Sequence, residues 1–144
     1  MTTRKNFRAA VYMLIKQGDK YLVIRRHNTG YRDGQYTVPA GHVDDGESAR
    51  AAAVRELAEE VGLRAIEADA ELVHAMQRHE GEFDYIDFYF NIAAWQGKPC
   101  ICEPDKMDNL RFMTLKELET VGIPGVISAL HAISIGERFS SLGV

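Results

Sequence analysis

An α/β protein, with a mixed β-sheet covered by helices on two sides, is the fold class this sequence predicts. Three observations carry it. Phe7–Lys16 (FRAAVYMLIK) is apolar on both alternating faces, the pattern of a strand buried on both sides. A run rich in Ala, Glu, Arg and Leu from about Glu47 to Val61 has the residues of a stable helix. A second helical pattern runs from Pro124 to about Gly136, with Val126, Ala129, Leu130 and Ile133 as its apolar stripe. A sheet that is apolar on both faces needs a covering layer on each.

The elements follow in order. Gln17-Gly18-Asp19 is a turn, and Lys20–Arg26 (KYLVIRR) is a second strand, so the first two strands are expected to form a hairpin. Arg25 and Arg26 end that strand; one of them faces a substrate phosphate, or both are a solvated strand end. His27–Gln35 is a loop rich in turn residues. It leads into Tyr36–Ala40, kept extended because Pro39 disfavours the helical region at Val38. After the central helix, Leu72–Gln77 is extended and Arg78–Glu82 (RHEGE) reads as a polar turn. Phe83–Trp95 alternates: Ile86, Phe88, Phe90, Ile92 and Ala94 form a core face. Its other face, Phe83, Tyr85, Asp87, Tyr89 and Asn91, either lines a pocket for a base or is half exposed. Gln96–Asn109 is a long connection, of the kind that is often functional. A short strand, Leu110–Met113, and a short helix from Leu115 precede the final helix, where Pro124 suits an early position.

Composition narrows the function. The chain has 144 residues, 46% hydrophobic and 26% charged, enough for one domain with a real core. A net charge of −4 without a basic tail argues against a nucleic-acid polymer as partner. No apolar run approaches the roughly 18 residues of a membrane helix, and no signal-peptide layout is present. A cytoplasmic protein is expected. Cys100 and Cys102 have neither a zinc-pair nor a C-x-x-C spacing and read as reduced thiols.

The chemistry concentrates in Gly41–Leu63, GHVDDGESARAAAVRELAEEVGL. Asp44, Asp45, Glu47 and Ser48 crowd the helix start, where acids and short polar caps suit the positive helix end. Gly62 reads as the C-cap glycine. Glu56 and Glu60 are i, i+4 and Glu56 and Glu59 are i, i+3, so the three carboxylates share one face. Val54, Leu57 and Val61, with Ala53 and Ala58 beside them, are expected to form the buried stripe. Three neighbouring carboxylates repel one another. A hard divalent cation removes that repulsion and completes its shell with waters and phosphate oxygens. The alternative is a solvated acidic face, salt-bridged by Arg50 and Arg55.

The spacing G-x5-E-x7-R-E-U-x-E-E-x-G-U, with U aliphatic, is complete here: Gly41, Glu47, Arg55, Glu56, Leu57, Glu59, Glu60, Gly62 and Leu63. From average composition it would arise by chance on the order of 10⁻¹⁰ times per register. It resembles the signature of the Nudix hydrolases, the MutT-like family. Ala40 departs mildly from relatives, which often have Gly before the motif glycine.

The resemblance implies the Nudix fold over residues 1–144 as a single domain: a mixed β-sheet sandwiched between α-helices (α/β/α), with a loop–helix–loop catalytic motif. It implies hydrolysis of the pyrophosphate in a nucleoside diphosphate linked to another group. Carried over by motif position, Glu56, Glu59 and Glu60, with the carbonyl of Gly41, hold Mg²⁺ or Mn²⁺. Glu56 is the first choice for general base. Arg55 and Glu47 match a pair that holds the catalytic loop to the helix. Members differ in the base they use; outside the motif Glu103 leads, followed by Glu80 and Glu82, each of which reads first as a surface acid. The substrate-binding residues are open, and Tyr31, Tyr36, Tyr85 and Tyr89 are aromatic candidates for stacking on a base. A nucleoside triphosphate, including an oxidised one, is the first expectation. A nucleoside diphosphate sugar, a dinucleotide polyphosphate or a non-catalytic nucleotide sensor is the alternative. A homodimer is an expectation from the family alone.

Overall fold

The structure is a computed structural model, and it describes residues 2–144. In chain order the elements are β1 (Arg8–Leu14), β2 (Lys16–Gln17), β3 (Lys20–Arg26), β4 (Tyr36–Thr37), β5 (Ala40–His42) and α1 (Ala49–Val61). A short 3-10 turn, Glu67–Asp69, then leads into β6 (Ala70–Glu80), β7 (Phe83–Ile92) and β8 (Met107–Thr114). The helices α2 (Leu115–Val121) and α3 (Pro124–Ser134) and the strand β9 (Phe139–Leu142) complete the chain.

Two sheets form the middle layer. The larger runs β5-β1-β7-β6-β9 and is mixed: β1 is parallel to β7 and β6 to β9, while β5–β1 and β6–β7 are antiparallel. In the smaller, β3 pairs antiparallel with β8 along its length, with β2 at its start and with β4 near its end. The expected hairpin is therefore confined to Lys16–Gln17 against Lys20–Tyr21. Both edges of β1 are taken, by β5 and β7, so no edge remains for β3.

Neighbouring residues on one strand enter opposite cores, as a period of two requires. Met13, Leu22 and Phe90 pack in the core under α1, with Ala52, Ala53, Leu57 and Val61. Leu14, Val23 and Tyr89 pack on the other side with Leu118 of α2 and Val126, Ala129 and Leu130 of α3. Helices thus cover both faces, and the α/β/α arrangement holds. Each Leu or Met buried in these layers contributes about 1.5–3 kcal/mol.

Helix α1 begins where Ser48 caps it, its side chain accepting from the N–H of Ala51 at 3.1 Å. It ends at Gly62 in the left-handed region, φ 71°. Its buried stripe is Ala52, Ala53, Leu57, Glu60 and Val61, whereas Val54 is half-buried and Ala58 exposed. The small Ala52 and Ala53 bring the helix close to β1. Glu60, one turn beyond Leu57, is carried into the stripe with it.

Three further expectations change. β6 continues through Arg78 to Glu80, so the polar turn shrinks to Gly81–Glu82. His74, Met76 and Arg78 alternate into the interior, and pairing with β7 extends the strand to Glu80↔Phe83. β8 starts at Met107 rather than Leu110, because β3 carries the pairing on to Arg26↔Met107 across a bulge. β9 was not expected at all; its four residues lie parallel to Ala75–Arg78 of β6. Among the described residues, no helix is long and apolar enough to cross a membrane.

Candidate active site

Strand β5 lies at the edge of the larger sheet, with Gly41 opposite Val11 of β1. Its chain leaves through the Val43–Glu47 loop and returns as α1. The loop is closed by Glu47, whose N–H donates to the carbonyl of Asp44 at 3.2 Å and whose carboxylate accepts from the Asp44 N–H at 2.8 Å. Arg55 clamps this loop. It donates from Nε and Nη2 to the two oxygens of Glu47, at 3.1 and 2.6 Å, and from Nη2 to the carbonyl of His42 at 3.0 Å. That fork holds the strand, the loop and the helix together. The guanidinium holds the Glu47 carboxyl below the usual range. Arg55 Nη1 also donates to Glu56 at 2.8 Å and to Glu59 at 3.2 Å.

The carboxylates differ by depth. Glu59 is exposed, Glu56 half-buried and Glu60 buried. Glu60 Oε1 accepts from the N–H of Ala40 at 2.7 Å, tying α1 to β5. Burial pushes its carboxyl up to about 8, and the negative charges of Glu56 and Glu103 add to the shift. Burial likewise raises Glu56 against the pull of Arg55, with Glu59 and Glu103 adding to the rise. Glu103, distant in sequence, is therefore a neighbour of this group. Gly41 is placed so that an added Cβ would overlap the Glu56 carboxyl group.

A cleft of about 920 Å³ opens over these groups, lined by Gly41, Glu56, Glu59, Glu60 and Glu103. Arg26, Arg32, Arg78 and Lys106 bring positive charge to it, and Tyr12, Tyr31 and Tyr85 bring aromatic surface. Of the two strand-end arginines, Arg26 lines the cleft; it donates to the carbonyl of Tyr31 at 2.7 Å. Arg25 pairs instead with Asp108 at 2.7 Å. Tyr36 and Tyr89 are not available for stacking on a base. Tyr36 is buried and donates to Asn109 at 2.9 Å, and Tyr89 is buried in a stack with Tyr12, centroids 4.5 Å apart. Glu80 and Glu82 also line the cleft. Glu80 is engaged by Tyr31 and by Arg32, the latter at 2.6 Å, and by Arg78 at 2.8 Å.

Arg78, like Tyr12, Arg32 and Lys106, is a cleft residue that the sequence does not single out. Its fork grips the buried carboxylate of Asp87, Nε to Oδ2 at 2.6 Å and Nη2 to Oδ1 at 3.1 Å. Its guanidinium also lies over the Tyr85 ring, 4.1 Å from the centroid. The signal was present in the alternation of His74, Met76 and Arg78.

The NUDIX domain family profile matches residues 6–130. The chain belongs to the NUDIX domain family. A Nudix hydrolase cleaves pyrophosphate bonds in nucleotide-linked substrates, and Nudix hydrolases generally use divalent metal ions. Solved structures share the fold. A MutT NUDIX hydrolase from Burkholderia pseudomallei superposes with a TM-score of 0.79 at 24% identity, covering 88% of this chain and 98% of that one. A MutT protein from Methanosarcina mazei Go1 gives 0.77 at 18% identity, covering 93% and 97%. An ADP compounds hydrolase gives 0.72 at 22% identity, covering 92% and 74%. At these identities the likeness is one of fold.

The chemistry of the cleft suits a hard cation: Glu56, Glu59 and Glu60 supply carboxylate oxygens, and Gly41 puts no side chain between its backbone and Glu56. Among the described residues no three acidic, His or Cys side chains converge on one point. Arg55 holds Glu56 and Glu59, and Ala40 holds Glu60. The donor types suit such an ion by their chemistry, with Arg55 engaging Glu56 and Glu59 in this arrangement.

Proposed function

We propose that this Nudix hydrolase converts a nucleoside triphosphate to the monophosphate and pyrophosphate, using Mg²⁺ or Mn²⁺ held by Glu56, Glu59, Glu60 and the carbonyl of Gly41. The observation that carries this reading is the close approach of Gly41 to Glu56 beside the buried Glu60, in a cleft that also presents cations. When bound, such an ion supplies positive charge against the phosphates and acidity to a water. Glu56 accepts the proton of the attacking water, and burial raises its basicity toward the neutral range where a general base works best. Arg55, anchored by Glu47, orients Glu56. Arg26 and Lys106 offer charge to the phosphate chain. Tyr31 and Tyr85 are the aromatic surfaces within reach of a base.

The test is a nucleotide panel with Mg²⁺ or Mn²⁺, read as phosphate released by a coupled pyrophosphatase. Release from a triphosphate only when pyrophosphatase is present supports the proposal. Release confined to diphosphate conjugates, detected with a phosphatase acting on their monophosphate products, would replace it with a nucleoside diphosphate sugar or dinucleotide polyphosphate reaction.

Two further results are expected. Glu60 has a raised folded pKa, so folding favours its protonated form. That contribution to stability is complete below the ordinary 4.5 and is lost as pH rises through about 8. A cation needs the carboxylate, so Mn²⁺ affinity, measured by calorimetry, is expected to climb between about pH 6 and about pH 8.5. A flat profile would remove Glu60 from the ligands. Glu103→Gln is expected to weaken Mn²⁺ binding by about tenfold or more, as for groups that support a metal site. Unchanged affinity and rate would make Glu103 a bystander.

A further inference from the structure

The connection between β7 and β8 carries two thiols against the end of the catalytic helix. Cys100 and Cys102 are free and exposed, and their Sγ atoms lie 3.0 Å apart. The N–H of Cys100 donates to the carbonyl of Val61 at 3.0 Å, and that of Cys102 to the carbonyl of Glu60 at 3.1 Å. These carbonyls belong to the last turn of α1, where the helix itself offers no donors. Both sulfurs rest on Gly62: an added Cβ there would come within 2.8 Å of Cys100 Sγ and 3.2 Å of Cys102 Sγ. The next residue, Glu103, lines the cleft. The thiol pair therefore touches itself, the helix end that bears Glu59 and Glu60, and the segment that bears Glu103.

We propose that Cys100 and Cys102 are a modification site, which a hydroperoxide closes to an intramolecular disulfide, and that closure disturbs the adjoining active site. One sulfur attacks a peroxide oxygen, forming a sulfenic acid and releasing water from hydrogen peroxide. The second sulfur attacks the sulfenic sulfur and expels a second water. Two electrons pass to the peroxide, and each thiol gives up its hydrogen. The sulfurs must approach by about 1 Å to bond. Both residues are tied to α1 through their own N–H groups, so the approach strains the Val61 and Glu60 contacts and moves Glu103. Misplacing a catalytic group by about 1 Å can cost about 10²-fold in rate. The consequence for rate rests on the hydrolase reading; the disulfide does not.

The experiment treats the full chain with hydrogen peroxide, removes the excess with catalase, and alkylates remaining thiols. Intact mass, Mn²⁺ affinity and nucleotide turnover are read before and after dithiothreitol. A monomer lighter by two hydrogens is expected, with turnover and Mn²⁺ affinity each reduced about tenfold or more and restored by dithiothreitol. Cys100→Ser is expected to keep the reduced rate and show no such response. Added oxygen atoms without a disulfide, or disulfide-linked dimers, would overturn the proposal. So would an internal disulfide that leaves Mn²⁺ affinity unchanged. If the reduced protein hydrolyses no nucleotide, the hydrolase reading fails alone, because mass and Mn²⁺ affinity still decide the disulfide and its coupling.

Discussion

Glu56→Gln is expected to lower turnover by at least about 10²-fold, the range of general-base catalysis. The amide keeps the size of the side chain and can still accept the Arg55 Nη1 hydrogen bond, which is 2.8 Å in the native protein. It cannot take a proton from water. Measuring the rate at saturating Mn²⁺ separates a lost base from a weakened ion site. The burial that raises Glu56 also defines a limb in the pH profile. The native rate is expected to fall on the acid side as Glu56 is protonated, and the variant's residual rate to lose that limb. A variant with near-native turnover would reject Glu56 as the base and turn attention to Glu103.

Arg78→Met is expected to have the largest effect on stability. Asp87 is 1% exposed and Arg78 7%, so the pair is buried. Removing the guanidinium leaves a carboxylate without its two charge-assisted hydrogen bonds, a change that costs about 3–5 kcal/mol at buried pairs. For a chain of this size the melting temperature should drop by roughly 10 °C. Replacing both partners with apolar groups is often nearly neutral. The double variant Arg78→Met with Asp87→Leu should therefore recover much of the loss. A double variant as unstable as the single one would show that Arg78 acts through Tyr85 and Glu80, its other contacts, rather than through Asp87.

Expectation and structure agree most closely along α1. The C-cap falls at Gly62 as expected, the N-cap falls to Ser48 among the four polar residues at the entry, and the shared side of Glu56, Glu59 and Glu60 follows from the helical repeat, which acts over a few residues. The clamp between Arg55 and Glu47 also spans a short stretch, and the motif pattern identified it. Errors arose where a strand's partner lies far along the chain. The period-two pattern of Phe83–Trp95 identified a strand, which ends at Ile92 and leaves Ala94 exposed, but it did not reveal that Asp87 and Tyr89 are buried as deeply as Phe90 and Ile92. A strand's second face is core or surface according to what covers it, here α2 and α3.

The sequence by itself determined the motif helix and its line of carboxylates, because those depend on residue types at short, regular spacing; the bond cleaved followed from the family that the motif resembles. Only the tertiary structure decided which groups meet that helix. The Ala40 N–H reaches Glu60, Glu103 approaches the same carboxylates, and Cys100 and Cys102 close the helix end. Arg78 turns inward to Asp87, and β9 extends the sheet. Sheet register and loop docking bring these partners together from distant parts of the chain, and they depend on the packing of the whole core rather than on any local repeat.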